Sequence, residues 1–132
     1  MKLFENEYVE ISLDETVPCL VWIGKKYMPS ETFRESEEKS LRFYIEYKKK
    51  YPKLQWFVDA SEISIVKSED TQWVADNILP KFAKAGLRKE AFVIPKRAIG
   101  KMTIHRYVSE AGDVIEIHIF DTVEAAKSWL KK

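Results

Sequence analysis

The sequence is short of most residues that make chemistry easy to recognise. Cys19 is its one cysteine, which excludes an intramolecular disulfide and a cysteine-built zinc site. His105 and His118 are its two histidines; with no third ligand beside them they read as ordinary surface or half-buried residues, and no metal or other cofactor is expected. No apolar run approaches the roughly 18 residues of a membrane span, and the opening MKLFENEYVE lacks the apolar core of a signal peptide. An excess of charge is missing too. Its 22 Lys and Arg face 21 Asp and Glu, a formal charge of +1, which argues against a dedicated nucleic-acid binder. These absences leave a cytoplasmic protein with no membrane span.

What is present suits a single domain over residues 1–132. That length buries a core without covalent staples, and no repeat, low-complexity tract or linker divides it. The chain is organised around residues 54–70, LQWFVDASEISIVKSED. An apolar strand, 54–59, stops at Asp59; a loop follows over 60–67; Ser68 then caps an acidic helix start. In open α/β sheets the carboxyl end of such a strand is where ligands and partners bind.

On either side the elements are legible from periodicity. Residues 7–13, EYVEISL, alternate as a strand, with Tyr8, Glu10 and Leu13 on one side and Val9 and Ile11 on the other. CLVWIG is its hairpin partner. A helix runs from Thr32 or Ser30 to about Lys50, with Thr32 and Glu35 spaced as a capping box; its buried face is Phe33, Leu41, Tyr44, Ile45 and Lys48, and Glu35, Glu37 and Glu38 complement the dipole. A second helix covers residues 69–85, with a kink at Pro80. Residues 90–94 form a short buried strand. Residues 97–111 fit a helix ending at Gly112, and a rival strand over TIHRYV stays open. VIEIHIF is a further strand, and a helix from Thr122 closes the chain. The order ββαβαβ(α)βα implies an α/β fold with a mixed sheet of about five strands, an initial antiparallel hairpin and covering helices.

Candidate chemistry is sparse. Asp59, Ser61 and Glu62 share a strand end, but no base stands near Ser61, and a backbone turn explains Asp59 and Ser61 equally. Gly100–Lys101–Met102–Thr103 fails as a phosphate loop, having proline where a glycine is needed and Met102 where Ser or Thr is needed. Lys96, Arg97 and Lys101 belong to a basic third of the chain that reads as an anion-binding surface or as a solvated face. No catalytic residue is assigned.

The element order, the FVDASEIS stretch and the ending IFDTVEAAKSWL together resemble STAS-like domains, in particular the SpoIIAA-like proteins. The resemblance covers nearly the whole chain. It implies a non-enzymatic regulatory domain that binds a partner protein or small ligand. In that family an Asp–Ser–Ser–Gly run opens the helix after the central strand, and one serine is phosphorylated. Here the run falls on residues 67–70, with Glu69 at the phosphoacceptor position and Ser68 beside it. The expected binding surface comprises Asp59, Ser61, Ser68, Glu69, Thr71, Lys96, Arg97 and Lys101. An apolar-ligand or lipid carrier is the alternative, an enzyme of another kind comes third, and a homodimer is left open.

Overall fold

The computed structural model describes residues 1–132. In chain order the elements are β1 Lys2–Glu5, β2 Val9–Asp14, β3 Cys19–Gly24, α1 Ser30–Lys48, β4 Gln55–Asp59, α2 Ser68–Trp73, a π-helical stretch Val74–Ile78, α3 Leu79–Lys84, β5 Lys89–Val93, α4 Ala98–Ala111, β6 Glu116–Phe120 and α5 Val123–Lys131. All six strands join one sheet whose spatial order follows the chain. β1, β2 and β3 pair antiparallel, and β3 to β6 pair parallel. The fold is therefore mixed α/β with an antiparallel start.

Strand parity divides the interior into two cores. Trp22 of β3, Trp56 and Val58 of β4 and Phe92 of β5 point to one face, where they meet Phe33 and Tyr44 of α1, Phe82 of α3 and Tyr107 of α4. Trp56 stacks on Phe82 with ring centroids 4.2 Å apart. On the opposite face Val21, Phe57, Ala91 and Val93 pack against Ala126 and Leu130 of α5. Thr122 caps α5, its hydroxyl accepting the Ala125 N–H at 3.1 Å.

Four local expectations are corrected. The sheet has six strands rather than five, because KLFE pairs with the outer edge of β2, Phe4 opposite Ile11; four half-exposed residues are too few to show a period. Leu13 is buried with Val9 and Ile11, as a two-residue repeat requires, and does not share a side with Tyr8. The buried face of α1 is Phe33, Ser36, Glu37, Ser40 and Tyr44, while Ile45 is 45% exposed. Trp22 reaches across to this helix and donates its indole N–H to Ser36 Oγ at 3.2 Å, so the inward face includes Ser36, Glu37 and Ser40 in place of Ile45 and Lys48. The fourth correction is that neither expected cap forms. Pro29 precedes α1 with no side-chain cap, and Ser30 Oγ donates instead to Asp70 Oδ2 at 2.6 Å.

Residues 97–111 adopt the helical alternative, and α4 stops at Gly112, whose φ of 61° suits glycine. The helix expected over 69–85 is interrupted rather than simply kinked. Leu79 N–H donates to Val74 O, five residues back, and Pro80 then sits in the first turn of α3. Proline has no N–H to extend the previous ladder, so the misfit is absorbed as a π-helical turn. No helix is long and apolar enough to cross a membrane.

Candidate functional site

The strand-end residues chosen from the sequence are largely engaged in holding the loop 60–67. Asp59 Oδ1 accepts from Ser61 N at 3.0 Å and Ser61 Oγ at 2.7 Å, a side-chain-closed turn. Ser61 O accepts Lys96 N–H at 3.1 Å, and Lys96 Nζ pairs with Glu62 at 2.7 Å. Asp59, Ser61 and Lys96 are thus brought together. Arg97 and Lys101 lie exposed at the start of α4, near Ile99 and Met102, which are 46% and 70% exposed. Ser68 and Glu69 are exposed at the start of α2. Ser68 is not the cap expected of it. Lys67 occupies that position, its carbonyl accepts from Asp70 N and Thr71 N at 2.9 and 3.1 Å, and no side chain caps the turn.

Asp70 and Thr71 are buried and structural. Asp70 Oδ1 receives Arg34 Nε at 2.8 Å, tying α2 to α1. Thr71 Oγ1 donates to Ser68 O at 3.1 Å and accepts from Arg106 Nε at 3.4 Å. Arg106 also donates to Val66 O at 2.6 Å, and Thr103 Oγ1 to Ser64 O at 3.3 Å. The loop is therefore strapped down along most of its length by α4.

Beneath it lies a cavity of about 50 Å³, bounded by the sheet, α1, α2 and α4. A site for one water needs roughly 10–15 Å³ on this measure, so the space takes about four water-sized groups. Ala60, Ile63 and Val66 close it at the loop, and Trp22, Phe33, Trp56, Val58 and Phe92 supply apolar walls. Two carboxyl groups stand in this wall, Glu37 from α1 and Glu90 from β5, with Tyr107 of α4 beside them. Tyr107 O–H donates to Glu90 Oε1 at 3.0 Å. Glu37 Oε2 and Trp56 Nε1 have no hydrogen-bond partner, although Glu37 is 6% and Trp56 1% exposed. A buried polar atom left unpaired costs about 1–3 kcal/mol, so Glu37 and Trp56, both among the residues that line this cavity, are held there at a cost to stability.

The electrostatics follow from burial. Glu37 is pushed up from 4.5 to about 8 by removal from water. Glu90 is pushed well above its ordinary value, first by burial and then by Glu37. Burial, followed by the two carboxyls, raises the Tyr107 phenol. No Lys, Arg or His lines the cavity. At neutral pH both acids are held in their uncharged form, able to donate as well as accept. The remaining reactive groups lie elsewhere. Cys19 is buried on the other face of the sheet, where burial pushes its thiol up to about 12. His118 stacks on Trp129 at 4.5 Å, and no three His, Cys, Asp or Glu side chains converge to hold a metal ion.

Glu37 and Glu90 are the residues that sequence reasoning missed, and both carry a signal. Glu37 stands four residues after Phe33 and seven before Tyr44, inside the buried helical repeat. Glu90 has the parity of Phe92 in a five-residue strand and pairs in register with Trp56. A carboxyl at an inward position of a central parallel strand is rare enough to flag. No protein-family model, curated protein or solved structure matches this chain.

Proposed function

We propose that the protein is a non-enzymatic, STAS-like regulatory domain that takes a small ligand in the cavity under the loop 60–67. The observation that carries this reading is the cavity itself, walled almost entirely by apolar side chains and with room for about four non-hydrogen atoms. Trp56 and Val58 of β4 and Phe92 of β5 hold that wall on the central sheet. A short, largely apolar molecule fills the void. The volume favours such a molecule over a lipid, whose carrier site needs on the order of 300 Å³ or more. Occupancy would be sensed outside through the loop, since Ile63 and Val66 touch the cavity while Ser61 and Glu62 hold Lys96, just before α4, and Ser64 accepts from Thr103 within it. There Ile99 and Met102, flanked by Arg97 and Lys101, form a surface on which a protein partner can read the change.

The test is a panel of three- and four-carbon alcohols, amides, carboxylic acids and amines, followed by amide-resolved NMR and thermal unfolding of the full chain. At least one class should raise the melting temperature. Its shifts should centre on Trp56, Glu90, Thr103 and residues 60–67. Shifts confined to the exposed surface, or no saturable shift for any class, would overturn the reading.

A further inference from the structure

We infer that a depression at the amino ends of β4 and β5 binds a compact polyphosphate, independently of the cavity under the loop 60–67. It lies at the opposite end of the parallel strands from that loop. Its volume of about 490 Å³ falls within the roughly 300–1,000 Å³ of small-molecule sites. Lys48, Lys53, Arg88, Lys89, Lys131 and Lys132 line it. Six of the chain's 22 basic residues are thus gathered on one concave surface, and none of its 21 acidic residues joins them. In a chain of net charge +1 that is a strong local imbalance.

These cations are positioned but left uncompensated. Lys48 Nζ donates to Gly86 O at 3.4 Å. Lys89 Nζ donates to Trp129 O at 3.3 Å and lies 5.1 Å from that residue's ring centroid. Arg88 Nη1 donates to Ala83 O and Leu87 O at 3.4 and 3.1 Å, which leaves its Nε and Nη2 free. Carbonyls orient these groups without neutralising them, and no carboxylate pairs with any of the six. Neighbouring acids are engaged elsewhere: Asp14 with Lys127, Glu15 with Tyr51, and Glu116, level with Lys89 on β6, against His118. Gln55, also in the lining, accepts the N–H groups of Arg88 and Lys89 on Oε1 at 3.3 and 3.0 Å. Its carboxamide is thereby fixed, and the nitrogen remains a free donor.

An oxyanion is the chemistry these donors fit. A guanidinium fork takes two phosphate oxygens at once, and ammonium groups add point charges around them. Cations arriving from α1, α5 and the starts of β4 and β5 match several linked phosphates rather than one. No aromatic side chain lines the depression, so a nucleobase has nothing to stack on. Ile99 and Met102, exposed apolar residues of the kind a membrane contact uses, lie at the other end of the sheet. The ligand is therefore a free solute rather than a lipid headgroup.

Calorimetric and NMR titration of the full chain with inorganic tripolyphosphate, and separately with orthophosphate, tests the site. Tripolyphosphate should bind one to one, with amide shifts centred on Gln55, Gly86, Arg88 and Lys89, and about tenfold or more tighter than orthophosphate. Binding should weaken as salt rises from about 50 to about 500 mM. The variant Lys53→Gln/Arg88→Gln changes two exposed side chains and should keep the parent's thermal unfolding while losing about tenfold or more in affinity. Lys2→Gln/Lys26→Gln removes the same charge elsewhere and should bind as the parent does. Equal loss in both variants, equal affinity for the two phosphates, or no saturable binding would overturn the proposal. So would tighter binding to a DNA duplex than to tripolyphosphate, or co-sedimentation with phosphatidylinositol bisphosphate vesicles without tripolyphosphate binding.

Discussion

Replacing Glu37 by glutamine is expected to make the protein more stable at pH 7 by about 2–3 kcal/mol, and to leave it nearly unchanged at pH 4. In the folded chain Glu37 keeps its proton up to about pH 8, against an ordinary value of 4.5. Between those values the folded state binds more protons than the unfolded one, so stability falls as pH rises. The slope is about 1.4 kcal/mol per pH unit for one group. Above about pH 8 the carboxyl is ionised in both states, and the slope from this residue disappears. By pH 7 the wild-type protein has therefore lost about 3 kcal/mol relative to pH 4 through Glu37 alone. Glutamine has nearly the same shape and ionises in neither state. Its gain is somewhat smaller than that loss, since its amide hydrogens face a wall with few free acceptors. Urea unfolding at pH 4 and 7 measures both numbers. A destabilised variant at pH 7, or one with the wild-type pH slope, would show that Glu37 is ionised and compensated in the folded protein.

Substituting Gly100 by alanine is expected to destabilise by about 2–3 kcal/mol, the range for forcing an atom into a filled site. In an ordinary helix interior the same change stabilises by roughly 0.5–1 kcal/mol, because alanine loses less conformational freedom than glycine. Here the sign reverses. Gly100 lies in the first turn of α4, and a Cβ placed on it would stand 2.2 Å from Ile63 O and 2.7 Å from Pro95 Cβ. The first of these is backbone of the loop that roofs the cavity, and it cannot rotate away. Either α4 or the loop must move, which pulls on the bonds from Lys96 N to Ser61 O and from Thr103 to Ser64 O. Hydrogen exchange should show faster opening of Ile63 and Lys96 amides, with β4 protected less than wild type only through the global loss. A variant as stable as the parent, with unchanged exchange in residues 60–67, would mean that the loop is not pinned by α4.

The contrast between these two sites shows what the sequence could convey. Gly100 stands in a stretch that fails as a phosphate loop; its role, admitting the backbone of Ile63, depends on a partner 37 positions earlier that no local pattern reveals. The strands β3 and β4 were legible because they are apolar runs bounded by Pro18, Gly24 and Asp59. The helix α4 was legible from its period, although its β-branched residues kept a strand in play. The interior carboxyls were misplaced for a physical reason. A glutamate in the first half of a helix complements the dipole wherever it points, so in sequence Glu37 reads like Glu35 and Glu38, both of which face water. The face of α1 that turns inward carries Ser36, which accepts the Trp22 indole N–H, and Glu37 beside it. The expected emphasis on Ser68 shows the converse. A serine before an acidic helical turn suggests a cap, yet the Lys67 carbonyl and the Asp70 bonds to Arg34 and Ser30 fix that turn without it.

The protonation of the two interior carboxyls tests the central claim most directly. Selective ¹³C labelling of glutamate side chains makes each carboxyl carbon visible in an NMR titration. At pH 6.5 the account predicts that two glutamates, Glu37 and Glu90 by their loss on Gln substitution, still give protonated-acid shifts. If every glutamate carboxyl has ionised by pH 6, the cavity does not hold uncharged acids and the site described here is contradicted.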